Sequence, residues 1–333
     1  MSEDTPAANR VTFVTIDEGR HGQRLDNFLF THLKGVPKSR VYRIIRSGEV
    51  RINKGRVKQT TRLASGDVVR IPPIRTSESA APPAVSEGLA ERLRRACVYE
   101  DDQLFIFNKP SGLAVHGGSG VSLGLIEALR VMYPDEKEME LVHRLDRDTS
   151  GLIMVARRRS FLRKLQRLMQ GGQVEKRYWL LCQGFKGKER TLDAPLLKMM
   201  NGNERIVRVS REGKPSVTHY RLLERFAQAQ LVEATLETGR THQIRVHMAH
   251  IGYPLVGDPV YAGRKRLPKG VTRAVSEALR QFERQALHAA QLELIHPRTG
   301  ERMAWQADTP DDMLDLLALL ETDHEGEVDE DDL

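Results

Sequence analysis

Between residues 20 and 72 the apolar positions form two helical stripes and then begin to alternate. Leu25, Phe28, Leu29 and Leu33 recur at steps of three and four, which predicts a helix with one buried face. Pro37 opens a second helix whose apolar side is Val41, Ile44 and Ile45. The run GEVRINKGRVK alternates around Val50 and Ile52 and turns at Lys54-Gly55, and GDVVRI supplies another short strand. Two helices and a small sheet predict a compact α+β module over 20–72, preceded by an N-terminal extension, 1–19. Residues 73–88 are rich in proline and small polar residues and have no periodic apolar face, so they are expected to be a linker. From 89 to 320, strand-like runs (QLFIFN, VEKRYWLLCQG, LVEATLET, ALHAAQLELIH) mix with helix-like ones such as Phe161, Leu162, Leu165, Leu168 and Met169. The two kinds do not alternate strictly, which predicts a large α+β domain with a mixed, mostly antiparallel sheet.

Charge adds a partner to this outline. The 333 residues carry a net charge of +7, and residues 20–70 hold thirteen Lys and Arg against three acids. On the second helix Arg40, Arg43 and Arg46 step by three and share one solvent face, and Lys54 stands at the hairpin turn beside them. A stripe of this kind suits a polyanion. The segment 321–333, ETDHEGEVDEDDL, has eight acids and no Lys or Arg, and is expected to be a disordered acidic tail. No apolar run approaches the ~20 residues of a membrane span, and MSEDTPAANR lacks the pattern of a secretory signal. With only Cys97 and Cys182, read as reduced thiols, the chain is expected in the cytoplasm, away from membranes.

Four polar segments of the large domain could carry chemistry. NKPSGLAVHGGSG, 108–120, suits a close backbone approach to a ligand, but it lacks the GK[ST] ending of a phosphate-binding loop, so no nucleotide cofactor is expected. LVHRLDRDTSGLIMVAR carries a dense set of charges straight into an apolar strand. Asp146 or Asp148 could act there as nucleophile or base, and the residues alone do not choose between them. In VEKRYWLL, Tyr178 shares a strand face with Lys176 and could stack on a base. ETGRTHQIRVHMAHIGYPLVGDPVYAG brings His242, His247 and His250, whose spacings of five and three fit no metal motif, so no metal is expected; Arg240 and Arg245 look better suited to an anion.

The N-terminal module is similar to the S4 RNA-binding domain, through RLDNFL at 24–29, SRVYRIIRSGEVRIN at 39–53 and GDVVRI at 66–71. Nearly the whole chain resembles the RluA-type pseudouridine synthases. HRLDRDTSGL at 143–152, NKPSGL, KRYW and GRTHQIRVHMAHIGYPLVGD carry that resemblance, in the family's order. HRLD in place of GRLD separates the chain from the small-subunit, RsuA-type branch. HGGSG at 116–120 and the S4-like domain point to members that modify large-subunit ribosomal RNA.

The resemblance implies a cofactor-independent and metal-independent isomerisation of uridine to pseudouridine in 23S ribosomal RNA, in a basic cleft. It implies Asp146 as the catalytic carboxylate, Tyr178 as the ring stacked on uracil, and Arg245 as the partner of Asp146. Ile244 would line the pocket, and Arg144 would fill the stack left by the target nucleotide. Arg40, Arg43, Arg46 and Lys54 would hold RNA, and a monomer is expected. The alternatives are the same chemistry on transfer RNA or another ribosomal site, or a non-catalytic RNA-binding assembly factor. Replacement of Asp146 or Tyr178 would favour the last, and both are present.

Overall fold

A computed structural model describes residues 10–33, 35–74, 84–117, 123–201, 204–263 and 271–328. The chain divides into two units, Met1–Ala84 and Val85–Leu333. The first contains β1 (Thr12–Thr15), α1 (Leu25–His32), α2 (Lys38–Arg46), β2 (Arg51–Ile52), β3 (Gly55–Arg56) and β4 (Val68–Ile71). Its strands form an antiparallel sheet in the order β1-β4-β2-β3. The helical stripes read from the sequence meet one face of it: Leu25, Phe28, Leu29, Val41 and Ile44 are all fully buried in one cluster with Val50 and Val69. Asn53 (φ 49°) and Lys54 (φ 68°) turn the β2–β3 hairpin, both in the left-handed region that a two-residue connection of this hand demands. Arg40, Arg43 and Arg46 are exposed along α2.

The second unit contains α3 (Glu87–Arg95), β5 (Cys97–Glu100), β6 (Leu104–Lys109), α4 (Leu125–Met132), β7 (Glu140–Leu141), β8 (Ser150–Ala156), α5 (Arg159–Gln170) and β9 (Val174–Cys182). There follow β10 (Glu189–Asp193), β11 (Leu196–Asn201), β12 (Glu204–Val209), β13 (Val217–Arg225), β14 (Gln230–Leu236), α6 (Gln243–His250), α7 (Arg273–Gln281), β15 (Leu287–Ile295), β16 (Arg302–Gln306) and α8 (Asp311–Val328). The main sheet runs β10-β13-β14-β9-β15-β8-β6-β5, with β16 added to β15 and β7 to β8. Every described pairing in it is antiparallel except β15 with β8, which makes the sheet mixed.

Both faces of its centre are covered, which explains the unbroken apolar runs LFIF and LIMVA. Phe105, Phe107, Ile153 and Val155 pack with Leu125, Ile126 and Leu129 of α4. Their neighbours Leu104, Ile106, Leu152 and Met154 pack with Phe161 and Leu165 of α5. The period of two along each strand sends adjacent residues to opposite cores.

Three boundaries differ from the sequence reading. The expected N-terminal extension contributes β1, because Val14 and Ile16, two apart, share one face and Ile16 is buried in the module's core. The expected linker, most of which (75–83) lies outside the described residues, ends early: Ser86 Oγ accepts from Leu89 N at 3.3 Å and caps α3, which begins at Glu87. The expected disordered tail is entered by α8, whose backbone stays helical to Val328. The buried Met313, Leu316 and Leu320 nucleate that helix, and extending a formed helix is far easier than starting one. Residues 329–333 lie outside the described residues.

Candidate active site

Asp146 sits in the connection between β7 and β8, and its neighbours are fastened from several directions. Lys109, fully buried at the end of β6, donates from Nζ to the carbonyls of Pro110 (2.8 Å), Leu113 (2.9 Å) and Arg147 (2.9 Å). Burial pulls this ammonium down to about 7, against the opposing pull of Asp148 and Asp146. Ser111 Oγ donates to Asp148 O at 3.0 Å, and Arg284 Nη1 reaches the same oxygen at 3.2 Å. Gln285 Nε2 donates to Thr149 Oγ1 at 3.1 Å, and Met154 N donates to His143 Nε2 at 3.1 Å. The NKPSGL and HRLDRD segments are thereby stitched into one platform.

Gly151 is required where the platform enters β8. Its φ is +109°, and a Cβ there would lie 2.3 Å from the carbonyl oxygen of Ala289 on the parallel strand β15.

The partner of Asp146 arrives from α6. Arg245, 4% exposed, places Nη1 3.0 Å from Asp146 Oδ2. Its other edge is gripped by Asp258, with Nε to Oδ2 at 2.7 Å and Nη2 to Oδ1 at 2.9 Å. Burial would lower the pKa of this guanidinium, but Asp258 and then Asp146 outweigh it and raise it. Burial likewise works to raise the carboxyl of Asp258; Arg245 and the amides of Tyr261 and Val260 outweigh it and hold the group below the usual carboxylate range. The turn that presents Asp258 needs Gly257, whose φ is +73° and whose Cβ would fall 1.9 Å from Arg284 O.

His242 stands at the N-terminal boundary of α6 in a left-handed conformation, φ 55°, uncommon for a residue with a side chain. Its Nε2 lies 3.8 Å from Asp146 Oδ2, and its Nδ1 is 2.8 Å from Tyr261 Oη. With Nε2 facing a carboxylate, the favoured tautomer carries its proton there and accepts from Tyr261 at Nδ1. Tyr261 Oη in turn accepts from Val207 N at 3.1 Å, which ties the β11–β12 hairpin to the site. Burial lowers the imidazole's pKa, and the charge of Asp146 works against it.

Tyr178 reaches the same cleft from β9, 6% exposed, with its phenol pushed up by burial and then by the charge of Asp146. Ile244, 4% exposed, and the exposed Arg144 also line it. The structure thus gathers Asp146, Tyr178, Arg245, Ile244 and Arg144 in one cleft, while Arg40, Arg43, Arg46 and Lys54 belong to the other unit. Asp148, the other carboxylate left open by the residues alone, pairs with Arg147 at 3.0 Å and is absent from the cleft lining. His247, raised with His242 and His250 as a metal question, spends Nδ1 on Thr218 Oγ1 (3.0 Å) and Nε2 on Ala194 O (2.9 Å). Of HGGSG, residues 118–120 lie outside the described residues. Sequence reasoning missed Asp258, Tyr261 and the place of His242 between Asp146 and Tyr261; the GD and VYAG of the fourth segment were the available signal.

A cleft of this composition has known relatives. Residues 103–250 match the family described as RNA pseudouridylate synthase, and residues 23–69 match the S4 domain. The chain is 48% identical over 311 residues to ribosomal large subunit pseudouridine synthase C of Escherichia coli (strain K12), covering 92% of this chain and 95% of that one. It is 46% identical over 313 residues to the protein of the same name from Pasteurella multocida (strain Pm70), covering 93% and 94%. Among solved structures it is similar to human RNA pseudouridylate synthase domain containing 4, with a TM-score of 0.59, 27% identity, and coverage of 70% of this chain and 96% of that one. On these matches the chain belongs to the RluA-type pseudouridine synthases, in the form that carries an N-terminal S4 domain.

Proposed function

We propose that the protein isomerises specific uridines of 23S ribosomal RNA to pseudouridine, with Asp146 as the catalytic residue. The observation that carries the target is similarity along almost the whole length, S4 domain included, to proteins named ribosomal large subunit pseudouridine synthase C. In the reaction the bond between ribose C1′ and uracil N1 breaks, the detached base turns, and C5 bonds to C1′ while its proton leaves and N1 gains one. Atoms and electrons balance within the nucleotide, so the scheme calls for no cofactor and no metal.

Asp146 serves either as nucleophile at C1′ or as the base that takes the C2′ proton, and both routes need it ionised. Arg245 pairs with it at 3.0 Å. Because Arg245 gives two donors to Asp258 and one to Asp146, it orients Asp146 without being spent on it, which leaves the carboxylate reactive. Tyr178 supplies a stacking face for the uracil. Its raised pKa keeps the phenol protonated, so accepting the C5 proton requires its own proton to pass on in the same step. Ile244 closes the apolar side of the pocket, and Arg144, exposed at the mouth, fills the gap in the RNA stack. Arg40, Arg43, Arg46 and Lys54 position the RNA through its phosphates, and the chain works as a cytoplasmic monomer.

Carbodiimide labelling and primer extension across total RNA, with and without the gene, tests the target. Pseudouridines missing from 23S ribosomal RNA are expected. Losses confined to transfer RNA or 16S ribosomal RNA would overturn the large-subunit assignment and keep the chemistry.

A further inference from the structure

The sheet of the S4 unit has a second face, turned away from the helices, of which only Lys54, at the hairpin turn, enters the scheme above. Directly opposed residues of paired strands point the same way. The register therefore lays one row across all four strands, Phe13 against Arg70, Arg70 against Arg51, and Arg51 against Arg56. Phe13 is 65% exposed, an unusual position for a phenylalanine on a strand. Beside it Val68 is 37% exposed, and with Arg51, Lys54 and Arg70 they line a groove of about 1100 Å³.

The cations are ordered but not neutralised. Arg70 Nη1 donates to Glu49 O at 2.6 Å, and Arg51 donates to Gly48 O at 3.2 Å and Lys54 O at 3.4 Å; all these acceptors are uncharged carbonyls. Of the nearby carboxylates, Asp67 is held by Asn53 Nδ2 and the amide of Ala64, while Glu49, which accepts from Ser47 Oγ, also lines the groove, so three cations there face one carboxylate. Gly48 borders both this groove and a second one lined by Arg46, Arg56 and Lys58, so the basic surface continues from the α2 stripe around the turn to Phe13.

We propose that this outer sheet face is a binding site for single-stranded RNA, with an unstacked base on the Phe13 ring and the flanking phosphates on Arg70, Arg51 and Lys54. The proposal rests on the RNA-modifying reading above and deepens it. Adjacent strands lie about 4.8 Å apart, so Phe13 and Arg51 are about 10 Å apart, a span that a base and its flanking phosphates can cover. A duplex hides its base faces and cannot use a protruding aromatic, whereas a splayed strand can.

The test uses the full chain and a fluorescein-labelled oligouridine of about twelve nucleotides, with a hairpin of equal length as control. Phe13→Ala should weaken oligouridine binding roughly tenfold, as loss of one stacked base does. It should leave the salt slope and the hairpin affinity unchanged. Arg51→Gln with Arg70→Gln should lower the slope by about 1.4, the value for two phosphates of a single strand. Phe13→Trp should restore affinity and show indole quenching as oligouridine is added. Wild-type affinity in Phe13→Ala together with an unquenched Phe13→Trp would overturn the site. So would unchanged oligouridine binding accompanied by altered self-association, which would assign the face to protein contact. If the wild-type chain forms no pseudouridine in large-subunit RNA, the underlying reading fails and takes this proposal with it. If that activity persists while oligouridine binding ignores Phe13, only the sheet-face proposal fails.

Discussion

Arg245 stands between two carboxylates that it treats differently, and that asymmetry sets what single substitutions should do. Asp146→Asn keeps the side chain's size but removes its reactive charge, so pseudouridine formation should be abolished while RNA affinity stays within about twofold. Tritium release from C5-labelled RNA and filter binding measure the two, and residual turnover above about 1% of wild type would refute the role. Tyr261→Phe keeps the ring over Arg245, whose guanidinium carbon lies 5.1 Å from its centre, but removes the hydroxyl between Val207 N and His242. Leaving such polar groups unpaired costs about 1–3 kcal/mol. With His242 no longer oriented, kcat should fall about tenfold and KM hardly change; a rise in KM alone would show that this chain of hydrogen bonds serves binding instead. Asp146, Tyr178 and Arg245 were legible in the sequence because each lies in a dense motif that resembles a known family. Asp258 and Tyr261 were not, since their part depends on a turn at Gly257 folding back on α6; the GD and VYAG of that segment mark the turn, but linear spacing does not say what it returns to.

At the level of elements, the helical stripes of α1 and α2 were readable because each buries one face in a small core, and 3.6-residue periodicity reports such a face. The paired cores around β6 and β8 erase periodicity, so strands there could be named from apolar runs but their layering could not. The parallel pairing of β15 with β8 was equally hidden, because it joins segments well over a hundred residues apart in sequence. The arginine stripe of α2 gives an element-scale prediction. Changing Arg40, Arg43 and Arg46 together to Gln alters no buried packing, so stability should hold. Affinity for ribosomal RNA fragments should fall, and the dependence of log K on log salt should flatten by up to ~1 for each phosphate left without its arginine. An unchanged slope in salt titrations spanning low to physiological ionic strength would show that the stripe is not an RNA surface.

For the whole molecule, acid is the predicted weakness. His288 on β15 is fully buried, with Nδ1 3.0 Å from Ser150 Oγ. Burial pulls its pKa down to about 4. The folded pKa is depressed below the unfolded value of about 6.5, so the unfolded chain binds the extra proton first. The stability is therefore fully present above about pH 6.5 and drains away as pH falls toward 4, by up to about 1.4 kcal/mol per pH unit. Buried His247 shifts in the same direction and adds to the effect. Urea unfolding at about pH 7.5 and about pH 5 should show the loss, and His288→Gln, though less stable at the higher pH, should lose less between the two. An equal loss in variant and wild type would exclude His288 as a source. Among the described residues no helix is long and apolar enough to cross a membrane.

Lys109 joins three carbonyls from two segments, one of them next to Asp146, and this staple decides who must move when enzyme and substrate meet. A platform fixed by a buried ammonium, a glycine pressed on a neighbouring strand and several side-chain bonds has little slack to offer a badly placed nucleotide. Under the proposed function the work of adaptation would fall on the RNA, which would unstack and swing a uridine out to meet a surface already set. Choice among uridines then becomes a contest in the substrate's own mechanics: the nucleotide that leaves its helix most cheaply arrives first, and the enzyme's stiffness is what turns that difference into selectivity.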